Sequence, residues 1–273
     1  MSFQNQYELA KILNQLEPQQ LTKNVFFGPL NALTRVDFLM TNNIKFIIST
    51  GMPVYSAMKC CANIPMEKYA YVLINFDPTF SKSDYNDEKL FQIMCYNQIF
   101  SAQLSSFVNR ALSTVEREED IYNSQSINIL RSNIITSDGL LKFEVFNDFI
   151  TLCKSANMGN VLIVSNSGND ESLTSLLISH VMRNNCQATL QDSISYVKSL
   201  RPSVRDINES RLLMCNGLSE YIEQVKSHSW KDILRHQCYH TIKRKEDGSD
   251  KEEINLEREI MENYKRTKRL IED

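Results

Sequence analysis

NVLIVSNSGNDES, Asn160–Ser172, is the stretch whose reading decides the fold. Val161–Val164 is short and wholly apolar, the pattern of a strand buried on both faces. SNSGND follows, a cluster of turn formers around Gly168. From Glu171 onward, ESLTSLLISHVMRNN carries apolar residues at helical spacing. The unit is strand, tight loop, helix. Outward from it the same alternation recurs. Val25–Phe27 reads as a strand ending in a turn at Gly28-Pro29. A helix with Val36, Leu39 and Met40 on one face runs to Asn42-Asn43, and IKFIIST follows as a second strand. KYAYVLINF (Lys68–Phe76) is a third, leading into Asp77-Pro78. FEVFNDFITLCKSA reads as an amphipathic helix before the central strand; QDSISYVKSL and ESRLLMCNGLSEYIEQVKS are helices after it. Strands alternating with helices imply a mainly parallel central sheet flanked by helices on both faces.

Three additions surround this α/β domain at 24–228. Residues 1–23 are expected to form an N-terminal helix, with Tyr7, Leu9, Ala10, Ile12, Leu13 and Leu16 at helical spacing before Pro18. A helical insertion occupies about 84–138, and a charged helical tail 229–273. The insertion's run from Asp87 to Val115 includes Leu90, Phe91, Ile93, Met94, Tyr96, Ile99, Phe100, Leu104, Phe107, Val108 and Leu112. These spread over more than one helical stripe, so some apolar surface is expected to remain outside the core.

The chain has 273 residues, of which 42% are hydrophobic, enough for a sizeable core. Its opening has no basic region followed by an apolar run, and no stretch has the length of a membrane span. Seven cysteines, an odd number without paired spacing, suit a reducing compartment. An intracellular location, cytoplasmic or nuclear, is therefore expected, with no membrane association. A net charge of -3 gives no global field for nucleic acid. The tail's basic runs, Lys243 to Lys245 and Lys265 to Arg269, are read as a solvated helix face.

The central stretch resembles the signature of the protein tyrosine phosphatases, H-C-x-x-G-x-x-R-[S/T]. Gly168 and Ser172 fit it; Val164 stands at the histidine position, Ser165 at the cysteine and Glu171 at the arginine. The loop is completed by Asn166, Ser167, Asn169 and Asp170. The flanks are similar to those of the dual-specificity members. SYVKSLRPSV resembles their V-x-x-x-R-P stretch, the helix around Asn208 to Tyr221 their closing helix, and FFGPLNALTRVDFLMTNNIKFIIST their opening unit. The resemblance covers about 24–82 and 139–225, and implies a dual-specificity-phosphatase-like fold.

It also implies the loss of catalysis. In an active member a thiolate of low pKa attacks phosphorus, while loop N–H groups and the arginine fork hold the phosphoryl oxygens. Ser165 has no histidine before it and no base in the loop. A carboxylate about 4 Å from phosphate, at an effective dielectric near 20, repels each unit of its charge by roughly 4 kcal/mol. Glu171 and Asp170 both carry that charge, and both also suit a helix N-terminus. Asp77, in NFDP, sits about where the family carries its general acid, and reads here as an ordinary turn residue.

The expectation is a pseudophosphatase with no catalytic residues and no cofactor. It would act as a scaffold, anchor or competitor toward a protein partner, engaged through the insertion helix; homo-oligomerisation is open. A phosphate-reading module using Arg201 or the tail's cations, and an enzyme with relocated chemistry, are the alternatives. His236, Cys238 and His240 are too few for a four-ligand metal site. A Ser165–His180 relay is disfavoured because His180 lies further along the same helix.

Overall fold

A strand covered on both faces has no solvent side, so its residues alternate between two cores rather than between core and water. IKFIIST and NVLIVS do this. In the computed structural model, which describes residues 17–62, 64, 70–114, 121, 123–201 and 217–229, Phe46 and Ile48 enter one buried cluster and Ile44 and Ile47 the other. Val161 and Ile163 divide from Leu162 and Val164 in the same way. The chain divides into two units, 1–226 and 227–273, and the sheet lies wholly within the first.

Six strands form one sheet among the described residues: β1 (Gln19–Thr22), β2 (Val25–Pro29), β3 (Ile44–Thr50), β4 (Val72–Phe76), β5 (Ile134–Ile135) and β6 (Asn160–Ser165). Their spatial order is β1-β2-β6-β3-β4-β5, antiparallel only between β1 and β2. The helices are α1 (Val36–Thr41), α2 (Val54–Cys61), α3 (Asp87–Leu112), α4 (Ser124–Ile129), α5 (Gly139–Ala156), α6 (Glu171–Asn184), α7 (Leu190–Leu200) and α8 (218–229). Phe143, Phe146 and Phe149 of α5 and Leu173, Leu176 and Leu177 of α6 cover one face with residues of α3. Leu39 of α1 and Cys61 of α2 pack on the other. The expected fold class, a mainly parallel sheet with helices on both faces, is what the chain adopts.

The sheet departs from the sequence reading at both edges. Gln19–Thr22 is a strand, not the end of an N-terminal helix; it pairs with β2 and buries Leu21 alone of its side chains. Residues 6–16 lie outside the described residues. The insertion is not merely an excursion, because its last residues supply β5: the Asn75 N–H donates to Asn133 O at 2.7 Å and the Asp77 N–H to Ile135 O at 3.0 Å. Met40, expected on the packed face of α1, is exposed, while Leu39 is buried.

Register fixes where function would lie. Pro29 pairs with Ser165, Ser49 with Val164 and Thr50 with Phe76, so β2, β6, β3 and β4 end together. The loops at 51–53, 77–80 and 166–170 therefore share one edge, the carboxyl ends of the strands, where open α/β sheets place their ligands.

Candidate functional site

Ser165 is the last residue of β6, on the face of Val161 and Ile163, and is fully buried. Its hydroxyl oxygen accepts the Gly168 N–H at 3.1 Å. Gly168 has φ +70, and a Cβ there would collide with the backbone of Gly28 and Pro29. Only glycine lets the loop turn back so closely onto β2. Asn166 and Ser167 face solvent, and the Ser167 hydroxyl donates to Asn169 Oδ1 at 2.5 Å. Val164 is buried in the second core rather than facing the loop.

Asp170 is the N-cap of α6, its Oδ1 accepting the Leu173 N–H at 3.0 Å. Its Oδ2 is shielded from water without a hydrogen-bond partner, and a Cβ at Gly51 would lie 3.1 Å from Oδ1. Glu171 follows in the first turn but is exposed. That corrects the expected balance of charge: solvent around Glu171 reduces its repulsion of an anion toward the ~1 kcal/mol of bulk water at 4 Å. Asp170, half-buried at the helix terminus, is the carboxylate that bears on the loop.

Arg201, 2% exposed, ties the loop from behind. Its guanidinium donates to Ser167 O at 3.1 Å and to Glu17 O at 3.2 Å, and burial pulls its pKa below the ordinary value. Asp77 is buried, not a surface turn residue. Its Oδ1 accepts from Thr79 N–H and Oγ1 at 3.1 and 2.7 Å, and its Oδ2 from the Val54 N–H at 3.2 Å. It closes its own turn and caps α2 across the chain.

His180 projects from α6 into a polar enclosure. Nδ1 is 3.1 Å from Asn147 Oδ1, and Nε2 is 3.0 Å from Asn184 Nδ2 and 3.5 Å from Thr22 Oγ1. The Asn147 amide group donates to Phe143 O and Ser179 Oγ, which leaves its oxygen to accept from Nδ1–H. Burial first, then Arg183 and Lys154, lowers the His180 pKa to about 3. Both ring nitrogens are thus engaged away from Ser165, and no Ser–His relay forms.

A second polar network, unseen in the sequence, joins the insertion to the domain. Arg183 bonds Asp148 at 3.0 Å and the Tyr221 hydroxyl at 3.2 Å. Asp148 Oδ2 accepts the Asn123 N–H, and the Asn123 amide donates to Glu144 at 2.7 Å. The available hint was Glu144, Asn147 and Asp148, all three buried, set among the apolar residues of α5. His236, Cys238 and His240 lie outside the described residues, among which no group of three or more His, Cys, Asp or Glu could hold a metal.

A mainly parallel sheet whose central strand runs into a glycine loop and a helix N-terminus, with helices on both faces, is a dual-specificity-phosphatase-like fold. More narrowly, the chain belongs to the YAL037W N-terminal domain family, whose model matches residues 16–168. Two Saccharomyces cerevisiae proteins are similar over most of their length. Uncharacterized protein YOR342C is 27% identical, covering 77% of this chain and 76% of its own. Uncharacterized protein YAL037W is 27% identical, covering 85% and 87%. Among solved structures, a leucine rich repeat and phosphatase domain containing protein from Entamoeba histolytica is 13% identical, covers 79% of this chain and 96% of that one, and has a TM-score of 0.39. No described helix is long and apolar enough to cross a membrane.

Proposed function

We propose that the protein is a catalytically inactive phosphatase-fold protein that works by binding another protein, as a scaffold, anchor or competitor. The observation that carries this reading is that two N–H groups at the loop and helix start are already taken by the chain's own side chains. Ser165 Oγ takes the Gly168 N–H, and the Asp170 carboxylate takes the Leu173 N–H at the start of α6. An anion arriving there would have to displace a carboxylate that the helix N-terminus already favours.

Phosphate reading through Arg201 has less support, because that guanidinium is buried and donates to two backbone carbonyls. Relocated hydrolase chemistry has less support too, since His180 is enclosed and held neutral at physiological pH. The additions to the compact domain, chiefly α3, are where a partner-specific surface would lie.

The test is turnover of para-nitrophenyl phosphate and a phosphopeptide panel by the purified full chain. The wild type, Ser165→Cys and Glu171→Arg are each expected to stay at the buffer blank. Ser165→Cys supplies a nucleophile facing a repelled substrate; Glu171→Arg supplies a clamp with no nucleophile. Wild-type turnover that disappears in Ser165→Ala would overturn the reading, as would robust turnover by either single variant.

A further inference from the structure

The inward side of α3 is fully used, with Ile93, Phe100, Leu104, Phe107 and Val108 buried. The opposite side is not. At about 100° per residue, Phe91, Cys95, Gln98, Ile99 and Ala102 share one outward stripe, with Met94 on its flank. Phe91 is 71% exposed, Ile99 50% and Met94 40%. Along that flank an open groove of about 560 Å³ separates α3 from Arg131 and Ser132.

We propose that this face is the interface of a two-fold symmetric homodimer, occupied by α3 of a second copy running antiparallel, with the symmetry axis at Cys95. The apolar side chains dictate the centre. They lie between Phe91 and Ile99, evenly about Cys95; beyond them the outward side is small or polar until Leu112 at the last turn, 37% exposed and more than three turns past Ile99. An axis at Cys95 sets Phe91 of each copy against Ile99 of the other, so the largest exposed side chains cover one another. It also opposes the two N-terminal helix ends to the partner's descending turns, the favourable dipole arrangement.

Charge supports the same register. A two-fold axis perpendicular to both helices keeps each flank of the seam facing the same flank of the copy. Asp87 lies on the groove flank, eight residues before Cys95, and so reaches the level of residue 103 of the other copy, about 12 Å from the axis. Arg131 is at that level: its carbonyl accepts from Ser105 Oγ at 3.3 Å, and its side chain lines the groove beside Ser101. Asp87 and Arg131 are both exposed. Each copy's acid therefore meets the other's base, twice. An unrelated partner would not require an acid and a base on one flank of a single chain at matched distances from an apolar centre; an isologous contact does.

One helix face per copy lies at the small end of stable interfaces, so a monomer–dimer equilibrium is expected rather than an obligate dimer. The inference rests on α3 and not on the state of the signature loop, so a turnover result leaves it untouched.

Sedimentation velocity of the full chain from about 1 to 200 μM tests it. Wild type is expected to shift from monomer to dimer across that range. Asp87→Arg and Arg131→Asp should each weaken dimerisation by about tenfold or more, and the double reversal should restore it to within about threefold. Mild copper–phenanthroline oxidation, which removes two electrons and two protons from paired thiols, should link the dimer, and Cys95→Ser should prevent this. These surface changes should leave far-UV circular dichroism unaltered. A chain monomeric throughout would overturn the proposal, as would a dimer indifferent to both reversals or a double variant no better than either single.

Discussion

Residues 165–172 and 87–112 are built in opposite ways, the first a tight loop at the carboxyl end of β6 and the second a helix of 26 residues. In the loop, Gly168 turns back on β2 and α6 begins at its N-cap Asp170. Three of its backbone groups are met by the chain's own side chains: the Gly168 N–H by Ser165, the Leu173 N–H by Asp170 and the Ser167 carbonyl by Arg201. The insertion helix is built the other way. It spans the sheet edge, buries one side in the domain's cores and leaves aromatic and aliphatic groups on the other in water. The loop spends side chains on its own backbone, whereas the helix leaves side chains of one face without a buried contact.

The comparison can be broken most sharply on α3 itself. Phe100 is fully buried between Tyr71 and Tyr96, so Phe100→Ala should cost about 3–5 kcal/mol in urea unfolding. A much smaller cost would mean that the helix does not pack on the domain through this ring.

Acid should act next most strongly. His180 is neutral in the fold, with its pKa lowered to about 3 against an ordinary value of 6.5. The unfolded chain binds the extra proton first, so His180 contributes stability above pH 6.5 that is lost as pH falls toward 3. The loss approaches at most about 1.4 kcal/mol per pH unit. Unfolding midpoints between pH 7 and 4.5 should fall more steeply for wild type than for His180→Asn; parallel slopes would contradict the enclosure.

At the loop, Asp170→Ala removes the cap of α6 and should destabilise by about 1 kcal/mol, whereas Asp170→Asn keeps an accepting oxygen and should cost less. The smallest effect belongs to the outward side of α3. Phe91→Ala should change monomer stability by no more than about 0.5 kcal/mol, measured at a protein concentration low enough to hold the chain monomeric.

How much of this was legible follows from what each feature depends on. β3 and β6 could be read because three consecutive apolar residues in one, Phe46–Ile48, and four in the other, Val161–Val164, leave little else for the chain to do. The turn at Gly168 and the acidic start of α6 were also local signals. β5 was not legible, since two isoleucines become a strand only by pairing with Asn75 and Phe76. Gln19–Thr22 carries one apolar residue and owes its form to the β2 edge. The burial of Asp77 depends on the Val54 N–H, and that of Arg183 on Asp148 in another helix; neither spacing announces a contact. The two-sidedness of α3 was visible as excess apolar residues, but which side faced inward was set by the sheet.

The most direct test of the central claim, that two N–H groups at the loop and helix start are taken by the chain's own side chains, is amide NMR of the ¹⁵N-labelled protein during titration with sodium phosphate to about 50 mM, with chloride holding ionic strength constant. The account predicts that the Gly168 and Leu173 amides, whose hydrogens already bond Ser165 and Asp170, show no saturable shift. Saturable, localised shifts of these two amides with millimolar or tighter affinity would contradict it.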